Sequence, residues 1–240
     1  MIDVENERTV IQFSYSEIGK RHEILKLENQ DSFFVGKVCD DTYCLAVADG
    51  VSSCKWAKKG SESAIDTVKH LALKLSKSEL RTDDSDEIRR FVVRDWKNHF
   101  DGSWNDYGTT LNFVVWCKGD VVIGQIGDGL IISKINDEYI LLTDMDEFYT
   151  VETFALAEVV LKSSFKVRTE KNVKNLIAIA MTDGIGKELD LKSIDAFQSY
   201  LVTLVKEKER DTEIELWMNH LREKNDDDKT IGLLVLEGEP

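Results

Sequence analysis

The chain has 240 residues, which at roughly 150 residues per domain allows one large domain or two small ones. Its 45 acidic and 31 basic residues give a net charge of −14, an excess that disfavours non-specific nucleic-acid binding, because that needs basic surface to neutralise phosphates. No apolar run exceeds about six residues, which argues against a membrane span and predicts a soluble globular protein.

The opening MIDVENERTV carries three acids and no apolar stretch, predicting neither a secretory signal nor a transit peptide and hence a cytoplasmic location. Short or alternating apolar runs predict strands near 8–14, 33–38 and 43–48. A helix is predicted over 57–80, where Ala64, Ile65, Val68, Leu71, Ala72 and Leu75 share one stripe, and another over 87–100 with Phe91, Val92 and Trp96. Strands follow at 110–117, 120–126, 129–135 and 138–142, then a helix at 151–162 and strands at 164–169 and 176–181. Helices at 191–207 and 211–224 and a strand at 230–236 complete the chain. The one proline is Pro240 and no Gly/Ser-rich linker occurs, so a single domain over 1–240 is predicted. Consecutive strands without helices between them imply hairpins. The predicted class is therefore α+β, a four-layer α/β/β/α sandwich of two antiparallel sheets flanked by helices.

Cys39, Cys44, Cys54 and Cys117 form no CxxC pair, which fits reduced core thiols better than a disulfide frame or a zinc site. His70, His99 and His220 fall on helical patterns without ligand spacing and are expected as face or core residues.

The chemistry gathers in aspartates next to apolar strands: Asp31 in ENQDSFF, Asp49 in LAVADGVSS, Asp128 in GQIGDGL, Asp183 in IAIAMTDGIG and Asp227 in NDDDKTIGLLVL. Carboxylates converging at buried strand tips repel one another unless a hard cation such as magnesium or manganese neutralises them. The competing explanation is that Asp-Gly is a common hairpin turn, and the chain holds four, at 49–50, 101–102, 128–129 and 183–184.

In order, ENQDSF, VADGVSS, YGTTL (107–111), IGDGLII (126–132), MTDGI (181–185) and DDDKTIGLLVL (226–236) resemble the motif series of the metal-dependent type 2C Ser/Thr protein phosphatases. The compact bacterial branch is most similar: Arg21-His22-Glu23 precedes the first motif, and DEFYTVETF (146–154) resembles a further block. The resemblance implies two antiparallel sheets flanked by helices and a hydrolase that attacks phosphoserine or phosphothreonine with a metal-bridged hydroxide. It implies two manganese or magnesium ions, or three. Asp49 resembles the carboxylate that bridges both metals, Gly50 the carbonyl ligand beside it, and Asp183 and Asp227 ligands of the first metal. Asp31 would hold metal-bound waters, and Asp128 with Asp183 resembles a third-metal position. The absence of an Arg six residues after any cysteine agrees with a mechanism that needs no phosphocysteine.

Two departures are visible. Gln30 stands where the family often has Glu, removing a charge expected in the metal shell, and Asp49-Gly50-Val51-Ser52-Ser53 lacks the loop His of many members. His22 is then the candidate general acid, or else an ordinary surface or strand histidine. Gly108-Thr109-Thr110 is either a strand start or a stretch packed closely beside the acids. Lys229 is either a point charge for substrate phosphate or, preferably, a solvated lysine beside Asp226 and Asp228. The substrate implied is a phosphoprotein, a Ser/Thr kinase or its targets, met by a monomer with no nucleic-acid or membrane partner. The alternative is a weak or inactive relative that binds a partner through the same fold. A two-metal nucleic-acid phosphodiesterase is chemically close but is opposed by the negative charge.

Overall fold

The computed structural model describes residues 8–143 and 154–238. Ten strands are present among them: β1 (Thr9–Glu17), β2 (Asp31–Cys39), β3 (Thr42–Asp49), β4 (Leu111–Cys117), β5 (Asp120–Ile126), β6 (Leu130–Ile135), β7 (Glu138–Leu141), β8 (Lys166–Glu170), β9 (Asn175–Met181) and β10 (Lys229–Glu237). Six helices accompany them: α1 (Lys20–Leu25), α2 (Ala57–Ser76), α3 (Ser85–Lys97), α4 (Asp183–Gly186), α5 (Ile194–Leu204) and α6 (Arg210–Arg222). The strands form two five-stranded sheets, β1-β10-β9-β6-β7 and β2-β3-β4-β5-β8, with every pairing antiparallel.

Alternation along each strand separates the layers. In β3, Leu45 and Val47 meet Ala178, Ala180, Leu234 and Leu236 of the facing sheet, whereas Cys44, Ala46 and Ala48 turn to the stripe of α2. In the other sheet, Leu233 and Val235 pack outward against α5 and α6 through Leu201, Leu204, Ile214 and Met218. The order is therefore α2/α3, sheet, sheet, α5/α6, the four-layer α+β sandwich predicted above.

Turn chemistry agrees with the hairpins. Lys118-Gly119 joins β4 to β5 and Asn136-Asp137 joins β6 to β7, all four residues at positive φ, as two-residue turns between twisted strands require. The Asp84 side chain caps α3 by accepting from the Glu87 N–H, and acids in the first turn with Arg94 and Lys97 in the last complement the helix dipole.

One predicted helix is absent. Of 151–162, the part that is described (154–162) is irregular, because Leu156 is fully buried and exchanges both backbone hydrogen bonds with Thr109 in an isolated bridge. The DEFYTVETF block lies outside the described residues, except for Phe154. Among the described residues no helix is long and apolar enough to cross a membrane.

Candidate metal centre

Strand parity aims the acids. Leu45 and Val47 face the other sheet, so Asp49, two residues on, emerges at the end of the inter-sheet layer, directly opposite its cross-strand partner Asp31. Three hydrogen bonds to two neighbours fix its backbone: the Asp49 N–H donates to Thr110 Oγ1 (3.0 Å), and its carbonyl accepts from the Thr110 N–H (2.8 Å) and from Thr109 Oγ1 (2.9 Å). Thr109 and Thr110 thus pack beside the acids. Gly50 leads into α2 so tightly that a Cβ there would sit 2.5 Å from the Ala57 carbonyl oxygen, which explains the glycine.

The other acids arrive by connections that are not hairpins within a sheet. Asp128 lies in the turn from β5 to β6, which carries the chain between sheets with Gly127 at φ +105°. Asp183 opens α4 directly after β9, and Asp227 lies on the segment entering β10. Asp49, Gly50, Asp128, Asp183 and Asp227 come together with Arg21 and His22 around one cleft of about 180 Å³. Asp31 and Gln30 do not line it. Asp31 is buried behind Asp49, its Oδ2 accepting from Thr182 Oγ1 (2.9 Å). Gln30 is buried with its carbonyl oxygen held by Ser61 Oγ (2.6 Å), and its Oε1 meets no hydrogen-bond donor among the described residues.

The electrostatics are those of crowded carboxylates. Burial, with the charge of Asp228 added, pushes the Asp31 carboxyl up to about 7 against hydrogen bonds from Thr230 and Thr182. Asp49 is held well above the usual carboxylate range by desolvation and then by Asp31, Asp183 and Asp128. Asp183 is raised by desolvation and by Asp128. Asp31 Oδ1 is buried without a hydrogen-bond partner among the described residues. An all-oxygen donor set under mutual repulsion, with an orphaned carboxylate oxygen behind it, fits hard divalent cations.

One acid pair already holds a cation. The Lys187 ammonium bridges Asp183 Oδ2 (2.7 Å) and Asp128 Oδ2 (2.8 Å). Desolvation pulls its pKa down, but the two hydrogen bonds prevail and hold it above the usual lysine value. Sequence patterns gave no sign of this clamp beyond the four-residue spacing from Asp183.

The acidic run 226–228 divides its roles. Asp228 is buried, its carboxylate accepting from the Gly19 N–H (2.7 Å), the Gln30 N–H (2.6 Å) and His22 Nδ1 (2.8 Å). Asp227 is exposed to the cleft, the position expected of a ligand. His22 is neither a surface nor a strand residue: it is buried in α1, with Nδ1 engaged by Asp228. Lys229 corrects the expectation of a solvated lysine. It is only 1% exposed and its ammonium donates to the carbonyls of Asn225 and Asp227 and to Asn225 Oδ1, binding the acidic loop to the strand that follows. Arg21, beside His22 in the same short motif, also lines the cleft, and its side chain has no acidic partner among the described residues.

The sequence matches the protein phosphatase 2C family over residues 18–222. The chain belongs to that family. Solved structures share the fold at low identity. RsbX in complex with magnesium is 20% identical with a TM-score of 0.61, over 97% of this chain and 98% of that one. The catalytic domain of the serine threonine phosphatase PstP with two manganese ions is 15% identical with a TM-score of 0.62, over 96% and 100%. The phosphatase domain of SpoIIE from Bacillus subtilis is 15% identical with a TM-score of 0.57, over 98% and 96%. No curated protein matches the sequence significantly.

Proposed function

We propose that the cleft hydrolyses phosphoserine and phosphothreonine esters of proteins with two manganese or magnesium ions. The observation that carries this is the convergence of Asp49, Asp128, Asp183 and Asp227, from four separate strand ends, on a cleft that also holds Arg21 and His22. Asp49, the Gly50 carbonyl, Asp183 and Asp227 would hold the ions, and the relatives solved with magnesium and with two manganese ions support that choice. When bound, such ions neutralise a phosphate dianion and supply an activated water near neutral pH. Lys187 offsets one of the two charges of the Asp128–Asp183 pair, which favours two ions over three.

The chain's own groups do the rest. Arg21 offers a planar fork of donors to phosphate oxygens in a cleft otherwise repellent to anions. Asp228, as an acceptor-only carboxylate, keeps a proton on His22 Nδ1 and leaves Nε2 for the substrate. With a second proton on Nε2, His22 would give that proton to the Ser or Thr oxygen as its bond to phosphorus breaks, keeping the Nδ1 proton on Asp228, because an alkoxide is a poor leaving group. Asp31, behind Asp49, orients it from the neighbouring strand β2.

The partner-binding alternative has one observation in its favour, that the Lys187 clamp already occupies two of the cleft acids. Phosphate release from a phosphoserine peptide, measured with manganese, magnesium or a chelator, separates the two. Cation-dependent turnover supports hydrolysis; manganese binding without turnover of any phosphopeptide supports the alternative.

A further inference from the structure

We propose that His70, Asp95 and His99 form a separate transition-metal site on the outer surface of the α2–α3 pair, selective for zinc over magnesium. Each residue offers one ligand atom, and the three atoms lie within 4.8 Å of one another. His70 Nδ1 is 3.0 Å and His99 Nε2 is 4.0 Å from the same oxygen, Asp95 Oδ2. The two imidazoles stack nearly parallel, at 11° and 6.1 Å between centroids. Ligands bound at about 2.0–2.1 Å around a tetrahedral ion stand roughly 3.4 Å apart, so the two measured separations bracket what one ion needs.

Different elements supply the three groups. His70 comes from α2, Asp95 from the last turn of α3, and His99 from four residues further on, just past the helix end. Two of the chain's four histidines thus meet on one carboxylate. The His70 side chain is 52% exposed, leaving room for water as a fourth ligand. Two imidazoles and one carboxylate are a zinc donor set, whereas magnesium prefers oxygen alone. Donor chemistry would therefore sort ions between this site and the carboxylate cleft.

The two sites are well separated. α2 starts at Ala57 against Gly50, and His70 lies thirteen residues on, about 20 Å along the helix. An ion at His70 would tie α2 to the end of α3, two helices that share the core through Val68, Leu71, Phe91 and Val92. The site would then stabilise the fold by mass action rather than take part in hydrolysis.

The test is a zinc titration of the tag-free full chain in saturating magnesium, by calorimetry and thermal melting. One equivalent of zinc and a raised melting temperature are expected. His70→Gln and His99→Gln should each weaken binding by more than the roughly 10–100-fold that losing an outer-shell partner costs and abolish the melting shift, while Asp49→Asn leaves both unchanged. Both histidines are solvent-exposed, but if either variant fails to fold, NMR of the wild type gives the answer: zinc should shift the ring resonances of His70 and His99 and spare those of His220. No zinc binding, binding that survives both histidine substitutions, binding lost in Asp49→Asn alone, or unshifted His70 and His99 rings would each overturn the proposal.

Discussion

Asp31 and Asp49 are direct cross-strand partners in the β2–β3 ladder, two carboxylates on one face at the end of the inter-sheet layer. Like charges so placed destabilise a sheet. The fold keeps this arrangement, and the acids of three other strand ends lie close by.

The pH dependence of the chelated protein follows from that pair. With its pKa raised to about 7 in the folded state, against about 3.9 unfolded, Asp31 keeps its proton on folding over that interval. Its contribution is fully present below about pH 4 and is lost as pH rises through 7. Denaturant melts of chelated wild type between about pH 5 and 8 should show this fall, and Asp31→Asn should make it shallower, leaving the part due to Asp49 and Asp183. Equal slopes in the two proteins would remove Asp31 as the source.

Lys187→Met takes away the cation that bridges Asp128 and Asp183. With that ammonium gone, the Asp128–Asp183 pair should admit a further divalent ion, so manganese stoichiometry by calorimetry should rise from two to three. A stoichiometry unchanged at two would show that the lysine does not compete with metal.

His22→Gln should slow phosphopeptide hydrolysis by roughly 10²-fold and hardly change turnover of p-nitrophenyl phosphate, whose leaving group needs no proton. Asp228→Asn should reproduce that split, and because three buried donors converge on Asp228 it should also cost roughly 3 kcal/mol of stability. Equal slowing of both substrates would make His22 an organiser of the site instead.

Much of this was legible in the chain. Short or alternating apolar runs, such as YCLAVA at 43–48, marked all ten strands, and the stripe from Ala64 to Leu75 marked α2. What escaped depends on contacts rather than on pattern. α1 and α4 are too short for any period and are held by tertiary bonds, the first through Gly19 and His22 on Asp228. Leu156 reads as helical in a run of apolar residues, yet its backbone pairs with Thr109. The meeting of His70 with His99, 29 residues apart, and the burial of Lys229 beneath its own loop follow from helix packing and from strand entry, which spacing does not encode.

The most direct test of the central claim is Asp49→Asn, assayed for manganese-dependent phosphopeptide hydrolysis and for stabilisation by manganese. Losing the ligand expected to serve both ions should cut turnover by at least about 10³-fold and abolish the manganese-induced rise in melting temperature, while the chelated variant remains folded and no less stable than wild type because a buried charge is gone. Turnover within about threefold of wild type, with manganese stabilisation intact, would contradict the assignment of this cleft as the phosphatase centre.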